Sequence, residues 1–279
     1  MNPVRFKRIY TEITNVCNLS CSFCHGTNRA PRYLTPEEFS LLASKLRGAS
    51  DFLYFHLMGE PLLHPELHTL LRLAAAQDFG VNLTTNGICL PEAGAALLNA
   101  STLHRVNLSL QCWEANTELP PLEDYVNQCA DFAVQAARRG VLVSLRLWNG
   151  GGAETRNSEI LSLLHQRFSA PWQQAQRNTV LAPNVFLELG TRFDWPDVSA
   201  AESGTCFCHG LRDHIGVLCD GTVVPCCLDA EGTLALGNLF EQSLEEILAG
   251  PRARSIYEGF SRRRAVEPLC RRCGYAARF

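Results

Sequence analysis

The stretch that most constrains this chain is Cys17-Asn18-Leu19-Ser20-Cys21-Ser22-Phe23-Cys24. Its three cysteines stand four and three residues apart, directly after a strand-like run from Arg8 to Thr14. Thiolates are soft ligands that suit iron–sulfur clusters and zinc. A four-iron cluster held by three cysteines leaves one iron without a protein ligand, where a small molecule can bind. The alternative is a structural zinc site in which adjacent His25 completes a Cys3His set.

The other cysteines narrow the choice of environment. The chain holds 13 in 279 residues, grouped rather than spread. A secreted disulfide scaffold would be shorter and would carry a signal peptide. Met1-Asn2-Pro3-Val4-Arg5-Phe6-Lys7-Arg8 has no apolar h-region, and no apolar run approaches a membrane span. The cysteines therefore read as metal ligands in a reducing compartment, which places the chain in the cytoplasm. At 46% hydrophobic and 19% charged residues, this is ordinary globular composition, with room for a large α/β domain and a small appendage. A net charge of −3 shows no overall bias toward an anionic partner.

Strand and helix periodicities alternate along the first two thirds. Strands are expected at 8–14, 52–58, 81–85, 106–111, 141–148 and 185–189. Helices are expected from Thr35 (N-cap, with Pro36 and Glu38 at N1 and N3), at 65–77, 91–99, 122–139 and 158–168. Gly140 closes the long helix as its C′ residue. Six alternations imply right-handed crossovers and a parallel sheet, short of the eight units of a closed barrel.

Side chains on a strand alternate between faces. One face of each strand is apolar. The other carries Tyr10, Glu12 and Thr14; His56 and Glu60; Asn82, Thr84 and Asn86; Asn107, Ser109 and Gln111; Ser144 and Arg146; and Glu188. A buried parallel sheet should be apolar on both faces. A polar face on six successive strands predicts an open lumen that holds a ligand. The alternative is that these groups hydrogen-bond one another in a filled barrel.

After Leu189 the periodicity stops. Residues 1–190 read as a partial (β/α)6 TIM-like barrel, 191–204 as a linker, and 205–279 as a small cysteine-rich module. In that module Ile215–Leu218 and Thr222–Val224 flank Asp220-Gly221, a hairpin turn signal, and Ser243–Leu248 is a short helix. Residues 252–279 also carry eight arginines, a pattern that suits phosphates, carboxylates or RNA as well as a solvated face.

Cys17-x3-Cys21-x2-Cys24 after the first strand resembles the radical S-adenosylmethionine (radical SAM) enzymes. Other stations match in order: Met58-Gly59-Glu60-Pro61 resembles the family's Gly-Gly-Glu motif, with Met58 in place of the first glycine. Thr84-Thr85-Asn86-Gly87, Ser109 on the fourth strand and Phe23 before the third cysteine also match. Cys208, Gly221-x4-Cys226 and Cys270-x2-Cys273 resemble a short, single-cluster SPASM/twitch extension, with Cys206 the alternative to Cys208.

The resemblance implies the following roles. Cys17, Cys21 and Cys24 hold a [4Fe–4S] cluster whose open iron binds S-adenosylmethionine. Phe23, Gly59, Glu60, Asn86 and Ser109 contact that cofactor. Cys208, Cys226, Cys270 and Cys273 hold a second, auxiliary [4Fe–4S] cluster. A 5′-deoxyadenosyl radical takes hydrogen from a substrate, a peptide or protein or a small molecule, and a flavodoxin or ferredoxin supplies electrons. Strand parity, apart from the resemblance, sets Arg146 and Glu188 facing one lumen and makes them the catalytic candidates: Arg146 orients an anionic or carbonyl group, and Glu188 accepts a proton or a hydrogen bond. The rival is an ion pair that only braces the barrel. A competing class is a zinc-stabilised RNA-binding module, or a radical SAM enzyme acting on RNA through the C-terminal arginines.

Overall fold

A computed structural model describes residues 5–152, 155–204 and 207–279. In chain order the barrel half contains β1 (Arg8–Thr11), α1 (Pro36–Leu46), β2 (Phe52–Phe55), α2 (Leu67–Ala76), β3 (Gly80–Thr85), α3 (Leu90–Leu98), β4 (Leu103–Ser109), α4 (Leu122–Arg138), β5 (Leu142–Gly150), α5 (Asn157–Arg167), β6 (Gln173–Gln174), β7 (Thr179–Ala182) and β8 (Val185–Thr191). The C-terminal part adds β9 (His214–Val217), β10 (Thr222–Val224), β11 (Gly237–Asn238), α6 (Leu244–Ala249), α7 (Pro251–Ser261) and α8 (Pro268–Arg271).

All strands join one mixed sheet of 11, ordered β11-β10-β9-β1-β2-β3-β4-β5-β8-β7-β6. From β9 through β8 every neighbouring pair is parallel. The apolar strand face, with Ile9, Leu53, Phe55, Val81, Leu83, Val106, Leu108, Val143, Leu145, Val185 and Leu187, is buried. Burying one such side chain fully contributes about 1.5–3 kcal/mol. Helix α1 begins as its sequence dictates: Thr35 caps it, and Thr35 and Glu38 form a reciprocal capping box behind Pro36.

The short pair β6–β7 was not expected from the sequence. It runs antiparallel onto β8 and covers what would otherwise be a free sheet edge. The other edge matters more. The Asp220-Gly221 hairpin forms as expected between β9 and β10, but β9 also lies parallel to β1, pairing Arg8 with His214 and Thr11 with Val217. The first strand of the C-terminal part is thus the next strand of the barrel sheet. It supplies the backbone partners that β1 lacks on that side.

A second seam joins the two halves. Arg29, after the cluster loop, pairs with Glu12 of the β1 extension at 2.6 Å, and its Nε donates to Ala230 O at 2.8 Å. The other Glu12 oxygen accepts Cys219 N–H at 3.0 Å. Arg32 donates to Cys219 O at 2.8 Å, and Glu231 accepts Asn28 N–H at 2.9 Å. Glu12, expected to face an open lumen, is a fully buried anion inside this seam. Replacing Arg29 with Met should therefore cost about 3–5 kcal/mol in denaturant unfolding, because Glu12 is left buried and unpaired. Adding Glu12→Leu should recover much of that loss. A single variant as stable as wild type would deny the pair this role.

Candidate active site

The three cysteines of the N-terminal motif sit on a loop at the C-terminal end of the parallel strands. The loop turns back through Cys24 N–H to Cys21 O at 2.9 Å. Backbone N–H groups of Leu19 and Gly26 point at the Cys17 and Cys24 sulfurs, at 3.5 and 3.4 Å. Cys17 and Cys24 are exposed, and Cys21 is half-buried. Cys21 receives two further contacts: a hydrogen bond from the Cys112 thiol, and Asn116 Nδ2 at 3.1 Å. The Cys112 bond foremost, with help from the Asn116 amide against the opposing effect of burial, brings the Cys21 thiol down to about 7. Cys112 is buried, in the 3-10 turn that follows β4. Its place against Cys21 has no sequence signal, because 91 positions separate them (112 − 21 = 91).

Gly59 and Glu60 close this end of the barrel. Gly59 has φ +75°, and a Cβ there would lie 2.4 Å from Thr14 O. Its clearance is used by the backbone entering the cysteine loop. Glu60 donates its N–H to Val16 O at 2.8 Å. Its carboxylate caps the 3-10 turn Pro61–Leu63 through Leu62 N–H at 3.0 Å and accepts Asn86 N–H at 2.7 Å. Burial pushes the Glu60 carboxyl up, and these N–H groups oppose the shift. The Thr85 side chain bonds the carboxylate as well. Asn86 donates to Asn18 of the cysteine loop at 2.8 Å. Phe23 lies below the Arg192 guanidinium, 5.8 Å from the ring centre, and its carbonyl accepts Trp195 Nε1–H at 3.0 Å. Ser109 ends β4, half-buried and in register with Arg146.

The polar strand face is partly self-satisfied and partly open. Arg146 and Glu188 are register partners on β5 and β8, paired at 2.9 Å. Glu188 also accepts Ser144 Oγ–H at 2.8 Å and lies 3.6 Å from Arg105. Arg146 stacks on Trp148 at 4.5 Å. The two candidates thus face one lumen as an ion pair, not as separate groups. Among the described residues the Arg146 Nη groups have no protein acceptor. Burial, with Arg146 nearby, pulls His56 down to about 4, so its ring is neutral at pH 7. Asn107 donates Nδ2–H to Thr84 Oγ1 and Leu83 O, which leaves its Oδ1 buried without a partner. Gln111 Oε1 is likewise buried and unpartnered. Asn107 stands two residues before Ser109 on β4, and Gln111 two residues after it in the 3-10 turn Leu110–Cys112, so two buried acceptors are left for donors near the end of this strand.

The C-terminal cysteines form a second group. Burial raises Cys226, Cys270 and Cys208; Cys227 charge, then Cys208 and Cys270 charge, acts on Cys226, and Cys208 and Cys273 charge acts on Cys270. Thiols that oppose one another's ionisation in this cluster suit a cationic metal centre, which holds thiolates deprotonated. Among the described residues no three His, Cys, Asp or Glu side chains close on one metal ion, in this group or in the Cys17-Cys21-Cys24 loop. Cys206 lies outside the described residues. Cys227, next to Cys226, instead contacts Tyr10. The C-terminal arginines serve as staples: Arg252 forks onto Glu267, Arg271 pairs with Glu202, Arg272 donates to Ala200 O and Arg278 to Thr191 O. Nothing in this arrangement or in the comparisons below supports the RNA-binding alternative.

Residues 11–134 match the radical SAM superfamily model, and residues 206–274 match the iron–sulfur cluster-binding SPASM domain. A probable GTP 3′,8-cyclase of Methanocaldococcus jannaschii is 35% identical over 140 residues, 48% of this chain and 45% of that protein. Mycofactocin maturase MftC of Mycolicibacterium smegmatis is 25% identical over 215 residues, 64% of this chain and 54% of that one. The chain thus spans about half the length of these relatives or less. In fold it is similar to Streptococcus suis SuiB bound to its precursor peptide SuiA (TM-score 0.64, 14% identity, 99% and 71% of the two chains). It is similar also to BtrN in complex with AdoMet and 2-DOIA (TM-score 0.57, 17%, 96% and 92%). No helix among the described residues is long and apolar enough to cross a membrane.

The Cys21 environment gives the site a direct test. In metal-free protein, Cys21 alkylation by iodoacetamide should rise with pH through about 7, because the thiolate is the nucleophile and its fraction grows there. Asn116→Leu should move that rise to higher pH. A midpoint near the ordinary thiol value of 9.0 in the wild type would contradict the described contacts. With the cysteine loop, the Gly59-Glu60 turn and both matched domains in place, the chain belongs to the radical SAM superfamily, as an enzyme with a C-terminal SPASM iron–sulfur module.

Proposed function

We propose that this enzyme generates its radical at the Cys17-Cys21-Cys24 loop and uses it on a substrate held in the polar lumen beneath. The observation that carries this reading is the pair of unpartnered buried acceptors, Asn107 Oδ1 and Gln111 Oε1, two residues either side of Ser109 at the C-terminal end of β4. The family binds a [4Fe–4S] cluster and S-adenosylmethionine, and the SPASM module adds auxiliary cluster binding. When bound, the reduced cluster supplies one electron that splits the sulfonium into methionine and a 5′-deoxyadenosyl radical, which takes a hydrogen atom from the substrate.

The chain's own residues then have these tasks. Cys17, Cys21 and Cys24 would hold the catalytic cluster; Cys208, Cys226, Cys270 and Cys273 would hold the auxiliary one. Glu60 accepts the amino group of S-adenosylmethionine. Asn86 and Ser109 line the same groove, and Phe23 walls it. Arg146, held through Nε by Glu188, turns its Nη donors to a carbonyl or carboxylate of the substrate. Glu188 orients Arg146 and Ser144. A peptide substrate is favoured because the likeness to the peptide-bound SuiB runs through 99% of this chain. The cyclase likeness stops within 48% of it. A small polar molecule is the second reading, because BtrN matches this chain in extent at both 96% and 92%.

Two experiments test this. Anaerobically reconstituted protein should bind about eight irons, be brown and contain inorganic sulfide. Replacing Cys17, Cys21 and Cys24 together with Ala should remove about half the iron and abolish 5′-deoxyadenosine release with dithionite, and Glu60→Gln should keep the iron but weaken S-adenosylmethionine binding. Unchanged iron in the triple variant would end the assignment. Arg146→Gln and Glu188→Gln should keep both clusters and still release 5′-deoxyadenosine, yet lose turnover of substrate, which comparison of a deletion strain's metabolites and peptides with its parent's would identify. If either variant unfolds or loses its clusters, the pair only braces β5 against β8.

A further inference from the structure

Cys21 differs from the other two cysteines of its motif. Cys17 and Cys24 receive backbone N–H groups from their own loop. Cys21 receives a side-chain amide from 95 residues away: Asn116 Nδ2, at 3.1 Å. The same amide nitrogen donates to Cys112 O at 2.7 Å, and Asn116 Oδ1 accepts Ser20 N–H at 2.9 Å. The orientation of the amide is therefore fixed. Turned over, it would set Oδ1 against the Cys112 carbonyl and an N–H against Ser20 N–H.

The loop that carries Asn116 is itself held. Asn116 N–H bonds Trp113 O at 3.3 Å, and Trp113 Nε1–H bonds Pro120 O at 2.8 Å. Neighbouring Glu114 accepts the backbone N–H groups of Thr155 and Arg156, both at 3.1 Å, and the side-chain amide of Asn149. The donor is thus presented to Cys21 by a braced element that belongs neither to the cysteine motif nor to the SPASM module.

We propose that Asn116 is a positioning residue of the catalytic cluster, and that its N–H···S bond to Cys21 sets that cluster's reduction potential. The proposal rests on Cys17, Cys21 and Cys24 being the ligands. Hydrogen bonds to the sulfurs are one of the levers by which a protein tunes an iron–sulfur centre. A donor aimed at a ligand sulfur stabilises the additional negative charge of the reduced state. Removing it moves the potential down and makes the cluster harder to reduce.

The test is an EPR-monitored redox titration of reconstituted holoenzyme, following the signal that changes on adding S-adenosylmethionine. Asn116→Leu, similar in size but without a donor, should keep the wild-type iron content and shift the midpoint to lower potential. Asn18→Leu, which removes a loop contact to Asn86 instead, should leave the midpoint in place. An unshifted midpoint in iron-replete Asn116→Leu overturns the proposal. If that variant does not retain its cluster, wild-type protein decides the matter. With 15N in the asparagine side-chain amides, pulsed EPR of the reduced cluster should show a 15N coupling, and its absence overturns the proposal. Failure of the ligand assignment is separately visible, as a responsive signal that survives Cys21→Ala.

Discussion

The buried carboxylate of Glu60 is the tie on which the top of this barrel depends. Its oxygens hold its own loop and the turn after β3 through Asn86, and the Glu60 backbone N–H holds the cysteine loop through Val16. An unsatisfied carboxylate at this depth would be expensive, so the loops stand where its oxygens and N–H need them. Gly59 allows the arrangement, because any side chain there would collide with Thr14 O. The family resemblance assigns Gly59 and Glu60 to the cofactor. The geometry gives both residues a structural task.

Much of the framework was legible because short-range rules governed it. The Thr35-Pro36-Glu38 start of α1, the six parallel strands and the Asp220-Gly221 hairpin each follow from local chemistry. Strand parity identified the polar face, because alternation is a property of the backbone itself. What stayed hidden depends on long-range pairing. Nothing in His214–Val217 says that its neighbour is β1. Nothing in Glu12 announces Arg29, or in Cys21 announces Asn116. The arginines near the C-terminus looked like a binding surface because sequence shows charge without partners. In the fold most of them meet a glutamate, a carbonyl or an aromatic ring.

The two thiol groups are held by different means. The N-terminal set sits on an exposed loop, pinned from outside by Asn116, Trp195 and the Arg29 seam. The C-terminal set is drawn inward, with Cys273 buried and Cys208, Cys226 and Cys270 half-buried. Open thiols at the strand ends suit a centre that must admit a second molecule. Enclosed ones suit a centre whose ligand shell is complete. Between them lies the polar face of the sheet, so a substrate in the lumen would touch residues from both ends of the chain.

The parallel pairing of β9 with β1 also bears on the order in which the molecule can be made. The strand nearest the start of the chain finds one of its two neighbours about two hundred residues later, at His214–Val217. During synthesis β1 has β2 beside it early, but its other edge and the seam around Arg29 stay open until the C-terminal part emerges. The cysteine loop is therefore not braced on both sides in a nascent chain. The end of the sheet that carries the cysteine loop gains its second brace late, only once residues 214–231 have been made.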